Sequence, residues 1–285
     1  MDRTTVLISS GRSGSTWITE IMKSLPRTRV IFEPMHPVHG INDLREWRFR
    51  FLPPKEQERQ LEQSVENLVS GESSNQWTTQ FNNFWTLQYK YQLLKMVRAN
   101  LLFPWLASQF NGLNFVFLIR HPAAVVQSQL NGGWQLSSRR LFAQSGLHKH
   151  IDLSIFERFR WPENGFLSNM IFWAIENRVA IDCVKRHKGH IIFYENLCIS
   201  PKEELTKLED HLGVKFPQRT YNVISKSSWS SKADITAMTP EEKIGAWKKS
   251  ISPDNLDIVL QVLAAAGLDN IYGPQLMPVE ANGFT

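Results

Sequence analysis

Short apolar runs alternate with amphipathic stretches along most of the chain, and that alternation sets the first expectations. TTVLIS (4–9) is apolar and β-branched and stops at a glycine turn, the pattern of a buried strand. In STWITEIMKSL (15–25) the apolar positions 17, 18, 21, 22 and 25 share one helical face, and Pro26 follows. RVIFE (29–33) reads as a second strand cut by Pro34, and 55–69 as a surface helix. YQLLKMV (91–97) and NFVFLIR (114–120) are further strands. A helix is predicted over 99–110, with Pro104 in conflict with it, and another from Pro122 to about Leu130. Proline suits that first turn, because the N–H it lacks would be unpaired there. Residues 166–187 predict a long helix and HIIFYENL (190–197) a strand. Helices follow at 201–213, closed by Gly213, and at 253–266, ending at Gly267. The stretch 216–245 is polar and lacks a clear period.

Strands alternating with helices imply βαβ units, hence an α/β fold with a parallel sheet covered on both faces. Ligands of such sheets bind beyond the carboxyl ends of the strands. The polar segments 9–16, 33–40 and 120–128 all lie at or just after strand ends, so one site can collect all three. No internal repeat, low-complexity tract or linker interrupts the chain, and a single domain over 1–285 is expected.

Composition narrows the function classes. With 42% hydrophobic and 21% charged residues, seventeen Phe and ten Trp, the chain is globular with a sizeable core, not disordered. The net charge of +5 is scattered, without a Lys/Arg block, which suits an anionic ligand and argues against a nucleic-acid binder. Two cysteines, Cys183 and Cys198, signal no disulfide framework. The N-terminus has no leader pattern, and no apolar run reaches the ~18 residues of a membrane span. A soluble, cytoplasmic protein is expected.

Candidate chemistry concentrates in SSGRSGSTW (9–17), where a strand runs through a Gly/Ser turn into a helix N-terminus. Such a turn presents backbone N–H groups and the positive end of a helix dipole. Gly11 and Gly14 permit close backbone approach, Ser13, Ser15 and Thr16 add hydroxyls, and Arg12 adds a fixed charge. A phosphate suits that set; the plainer alternative is an ordinary turn with a serine cap. Gly14 is followed by Ser15, so the lysine of a Walker A loop is missing, and a G-x-S-x-G nucleophile elbow is absent too.

SSGRSGSTW resembles the 5′-phosphosulfate loop of sulfotransferases that use 3′-phosphoadenosine 5′-phosphosulfate (PAPS), and FLIRHPAAVVQSQL resembles their 3′-phosphate motif. KMVRANLLFPWLASQF, YENL and EKIGAWKKSISPDNL are similar to further segments of the bacterial and carbohydrate-type branch. The resemblance runs through most of the chain in the same order and is weakest at 40–90 and 131–165. It implies a P-loop-like three-layer α/β sandwich, with a central parallel sheet flanked by helices, and sulfuryl transfer from PAPS to a hydroxyl or amine without a metal. The rival readings are a P-loop kinase-like phosphotransferase, which lacks its lysine here, and a non-catalytic nucleotide-binding module.

The resemblance also implies roles. Arg12, with the backbone of Ser13, Gly14, Ser15 and Thr16, would hold the 5′-phosphate and the transferring group. Arg120 and Ser128 would bind the 3′-phosphate. Trp17 either flanks the adenine or belongs to the core, and Tyr194 and Glu195 either join the donor pocket or merely pack. Ser228, Lys243, Gly245 and Trp247 would form a closing lid or lie on a polar surface. The histidine base of cytosolic mammalian members has no counterpart, because Lys95 is followed by Met96, Val97 and Arg98. Glu33 is the candidate base, suited to that role if partial burial raises its pKa towards the working pH, with His36 in reserve. Lys95 and Arg98 are candidates for steadying the sulfuryl oxygens, and His121 for packing beside Pro122. The acceptor would be a small molecule, carbohydrate or lipid-like chain. Its pocket is expected in 36–90 and 131–165, where Trp47, Phe49, Phe51, Trp77, Phe81, Phe84, Trp85, Trp134 and Trp161 suggest an aromatic wall.

Overall fold

The computed structural model describes residues 4–83, 88–224 and 238–279. Five strands, β1 (Thr4–Ser9), β2 (Thr28–Phe32), β3 (Tyr91–Val97), β4 (Asn114–Ile119) and β5 (His190–Phe193), form one sheet in the order β2-β3-β1-β4-β5. Every pairing is parallel, with Leu7 opposite Lys95 on one side and Val116 on the other. The chain leaves β1 toward one edge and later returns to the opposite one. The crevice for a ligand therefore opens at the carboxyl end of β1, where the strand order reverses.

Thirteen α-helices connect and cover the described strands: α1 (Ser15–Lys23), α2 (Asn42–Arg45), α3 (Arg59–Ser70), α4 (Phe103–Gln109), α5 (Pro122–Asn131), α6 (Arg139–Phe142), α7 (Ser145–His148), α8 (Gly165–Arg186), α9 (Tyr194–Ile199), α10 (Pro201–Leu212), α11 (Arg219–Ile224), α12 (Pro240–Gly245) and α13 (Pro253–Ala266). The pleat sorts them. Val6 and Ile8 of β1, Leu94 and Met96 of β3, and Phe115 and Phe117 of β4 join a core with α3, α4, α5, α8 and α13. Their neighbours Leu7, Leu93, Val116 and Leu118 point the other way, into a smaller core with α1, α9 and α10. Successive side chains of a strand face opposite sides, so each apolar strand feeds both layers at once. The result is the three-layer sandwich expected of the sequence.

Several boundaries move. Helix α4 starts at Phe103, not 99, so Pro104 falls in its first turn and its conflict with a helix disappears. The strand expected over 190–197 ends at Phe193, and YENL opens α9 instead. Glu33 and Arg120 lie just past β2 and β4 rather than within them. The aperiodic 216–245 stretch holds α11 and α12. The candidates Ser228, Phe84 and Trp85 lie outside the described residues. Among the described residues no helix is long and apolar enough to cross a membrane.

Candidate functional site

The loop between β1 and α1 turns through two left-handed residues, Arg12 (φ 76°) and Gly14 (φ 96°). Glycine is required at the second position, because a Cβ there would stand 2.6 Å from the Tyr194 ring. Gly14 is also the N-cap of α1 and offers no side chain, so no side-chain acceptor covers the helix's first N–H groups. Against this loop lie the end of β4 and the start of α5. Arg12 Nε donates to Ser128 Oγ at 3.0 Å, and Arg120 Nη1 donates to the Arg12 carbonyl at 3.3 Å. Gln129 Nε2 donates to the Gly11 carbonyl at 3.2 Å. Two motifs 108 residues apart in sequence thus form one cradle.

Aromatic groups wall it. The Arg120 guanidinium lies 4.3 Å from the Tyr194 ring centre, and Tyr194 meets Trp17 edge-on at 5.8 Å. Trp17 is largely buried and packs in the smaller core as well. Ser13 Oγ and Arg120 Nε are buried without a hydrogen-bond partner among the described residues. A buried donor left unsatisfied costs about 1–3 kcal/mol, and a bound oxyanion relieves that cost.

Beside the cradle, at the ends of β2 and β3, is a charged cluster. Lys95 is completely buried; its Nζ lies 3.0 Å from Glu33 Oε1 and donates to Thr16 Oγ1 at 2.8 Å. Arg98 Nη1 lies 3.3 Å from Glu33 Oε2, and its guanidinium sits 4.6 Å from the Trp134 ring. Burial pushes the Glu33 carboxyl up, but the charges and hydrogen bonds of Lys95 and Arg98 outweigh it, and the net direction is down. The rise that partial burial alone would produce is therefore absent, and Glu33 is an ionised carboxylate at neutral pH. Burial in turn pushes the Lys95 ammonium and Arg98 guanidinium down, against the pull of Glu33. Lys95, from β3, thus places its ammonium against the first turn of α1.

His36, the reserve candidate for the base, lies just past β2. Its Nδ1 accepts from the backbone N–H of His39 at 3.1 Å, which leaves the ring proton of the neutral form on Nε2. Burial, with Arg98 adding to it, holds its pKa below the ordinary value. His121 packs as expected: it is fully buried, stacked at 4.2 Å on Trp247, and pushed down to about 4 mainly by burial. Glu195 accepts from the His121 N–H at 2.8 Å and from the Tyr272 hydroxyl at 2.9 Å, which fixes the β4 end rather than facing the cradle. Trp247 stacks on His121, one residue from Arg120, and Gly245 lies against Leu276; neither contact is with the loop. Lys243, on α12, acts electrostatically on the Cys198 thiol.

Sequence reading missed the layer beneath the loop. Ser10 Oγ donates to Glu176 Oε1 at 2.6 Å, and Asn177 Nδ2 donates back to Ser10 Oγ at 2.9 Å. The available signal was a polar Glu-Asn pair in the otherwise apolar middle of α8.

Residues 5–218 match the sulfotransferase family model. No curated protein sequence matches the chain. Among solved structures, the sulfotransferase domain from the Synechococcus PCC 7002 olefin synthase aligns with a TM-score of 0.50 and 18% identity, covering 95% of each chain. The sulfotransferase domain from the curacin biosynthetic pathway aligns at 0.53 and 16%, covering 96% of this chain and 99% of that one. These likenesses show the same fold. The family match extends over well more than half of the chain and takes in the loop, the β4 motif and the Glu33 cluster. The chain belongs to the sulfotransferase family, whose enzymes transfer sulfuryl groups.

Proposed function

We propose that the donor is PAPS and that the cradle holds its two phosphate ends. The observation that carries this reading is the junction of Arg12, Ser128 and Arg120, with Ser13 Oγ and Arg120 Nε buried and unpartnered beside it. These are the donors a dianionic phosphate takes, and a guanidinium is suited to bind one in bidentate fashion. Bound there, PAPS supplies an activated sulfuryl group on its 5′-phosphate. Arg120 and Ser128 hold the 3′-phosphate. The backbone of 13–16 with the Ser15 and Thr16 hydroxyls holds the 5′-phosphate, and Arg12 neutralises charge as that phosphate departs. Tyr194 and Trp17 frame the base, while Lys243, Gly245 and Trp247 approach from the α12 side.

Glu33 serves as proton acceptor for the acceptor hydroxyl. Being ionised it is ready at neutral pH, and Lys95 and Arg98 keep it aimed. Lys95 also ties that carboxylate to Thr16, so the donor loop and the base keep a fixed separation. We assign the acceptor to small molecules, with a carbohydrate or lipid-like chain both open. We place the enzyme in the cytoplasm, in keeping with two buried, unpaired cysteines.

Calorimetric titration with adenosine 3′,5′-bisphosphate against 5′-AMP tests the donor assignment. The bisphosphate is expected to bind at least tenfold tighter, and Arg120→Ala to remove most of that difference. Equal binding of the two nucleotides would overturn it.

A further inference from the structure

A cavity of about 440 Å³ opens beside the Glu33 cluster, between the 46–50 segment and the 135–144 segment. Its size is that of a small-molecule site. Phe49 and Phe172, edge-to-face at 4.9 Å, form the apolar floor. Arg48, Arg50 and Arg140 line it, with Glu46 as the one acid. Among the described residues none of the three guanidiniums is ion-paired: Arg48 donates to the Arg45 carbonyl at 2.6 Å, and Arg50 lies 5.5 Å from the Trp47 ring. Three cations against one acid leave an uncompensated positive field in a concave, partly apolar site.

The cavity is joined to the catalytic cluster. The Phe49 N–H donates to the Arg98 carbonyl at 3.0 Å, and the charge of Arg48 acts on Arg98. Gln144 fixes the two walls together, donating to the Phe49 carbonyl at 3.0 Å and accepting from the Phe51 N–H at 2.7 Å. One wall of the cavity is therefore tied to the backbone of Arg98, whose side chain holds Glu33.

We propose that this cavity is the acceptor site and that it selects acceptors bearing an anionic oxyacid group, a carboxylate, phosphate or sulfate, at the end remote from the hydroxyl to be sulfated. The guanidinium fork matches planar oxyanions, while the phenylalanine floor takes the intervening ring or chain. The proposal rests on the sulfotransferase reading of the neighbouring cradle.

Matched probes test it. With adenosine 3′,5′-bisphosphate saturating the donor site, titrate 4-hydroxyphenylacetate, its phosphonate analogue and the neutral 4-hydroxyphenylacetamide. Titrate methyl β-D-glucuronide against methyl β-D-glucoside alongside. In at least one scaffold the anion is expected to bind tenfold or more tightly than its neutral partner. Arg50→Gln with Arg140→Gln should abolish that preference, and the two lysine substitutions should retain part of it. The glutamine and lysine variants alike should bind the bisphosphate like the parent, since both arginines are exposed and lie outside the cradle. The carboxylate and phosphonate arms tell which oxyacid is preferred. Equal affinity for neutral and anionic members, no binding by any anion, or a preference that survives the double glutamine variant would overturn the proposal. Bisphosphate binding is read separately. If it fails while anion selection persists, the donor assignment falls and the cavity's preference stands.

Discussion

Glu33, Arg98 and Arg12 all adopt left-handed backbone, with φ of 41°, 76° and 76°, at or beyond the ends of β2, β3 and β1. Side-chain-bearing residues pay about 1–3 kcal/mol for such conformations, which persist only where the surroundings over-determine them. At Glu33 the restraint is visible: two cations grip opposite carboxylate oxygens. Glu33→Gln should therefore have two separable effects. As loss of the proton acceptor, it should lower the sulfation rate by about 10²- to 10⁴-fold. As loss of the counter-charge, it leaves Lys95 buried without an anion, a defect of about 3–5 kcal/mol. Adding Lys95→Met to Glu33→Gln should restore much of the melting temperature and none of the turnover. If the double variant regains activity, Glu33 is a structural partner only.

The same carboxyl sets a pH dependence. Its folded pKa lies below the ordinary 4.5, so its contribution to stability is complete above that value and is lost as pH falls through the lowered one. Turnover should accordingly stay level with respect to this group through neutral pH and drop only in acid. An acid limb of kcat/KM near pH 6–7 that disappears in Glu33→Gln would contradict that sign.

At the scale of elements, the β1–α1 turn depends on Gly14. Gly14→Ala puts a side chain at φ 96° and drives its Cβ into Tyr194. The backbone cost is roughly 1–2 kcal/mol, and the displaced ring is the one under Arg120. Bisphosphate affinity should fall at least tenfold, measured by the same calorimetry. Gly14→Ala with Tyr194→Ala removes the collision but not the backbone strain, so it should remain stable only in part and bind no better. Full recovery in that pair would show that φ is unimportant.

The elements were legible where apolar pattern alone decides them, and less so where tertiary contacts end a strand. β1, β3 and β4 are apolar on both faces because both are covered, and their runs are plain in the sequence. FYENL continues the apolar-aromatic pattern of β5, yet Glu195 is drawn into a helix turn by His121 and Tyr272, partners 74 and 77 residues away. The β1–α1 loop and the β4–α5 segment were readable as candidate motifs because each is local in sequence. The Glu33–Lys95–Thr16 link was not, since it joins three separate elements through side chains. The fall in the Glu33 pKa depends on that link, and burial alone points the wrong way.

For the whole molecule, the sheet brings three strand ends together, but the loop they carry is held from beneath by α8. Ser10 accepts from Asn177 and donates to Glu176, whose other oxygen, Oε2, is buried with no partner. That oxygen is the one free to take a proton when the carboxyl is neutral. Burial pushes the Glu176 carboxyl up to about 8, against smaller downward effects of Ser10 and Arg98. The sign then follows. A group whose pKa is raised on folding contributes stability fully below its unfolded value, near 4.5, and loses it as pH climbs through about 8. The slope between is at most ~1.4 kcal/mol per pH unit for this one proton. Glu176→Gln preserves an acceptor for Ser10 and cannot ionise. Relative to that variant, the parent should lose melting temperature steadily from pH 5 to pH 8, with the loss centred on the loop's support rather than on the charged cluster. The comparison cancels every other titrating group, because both chains carry the rest. Parallel melting curves across the range would mean that Glu176 is already ionised in the folded state. The neutral acid beneath the loop would then have to be abandoned, and Arg98 would have to share its charge between Glu33 and Glu176.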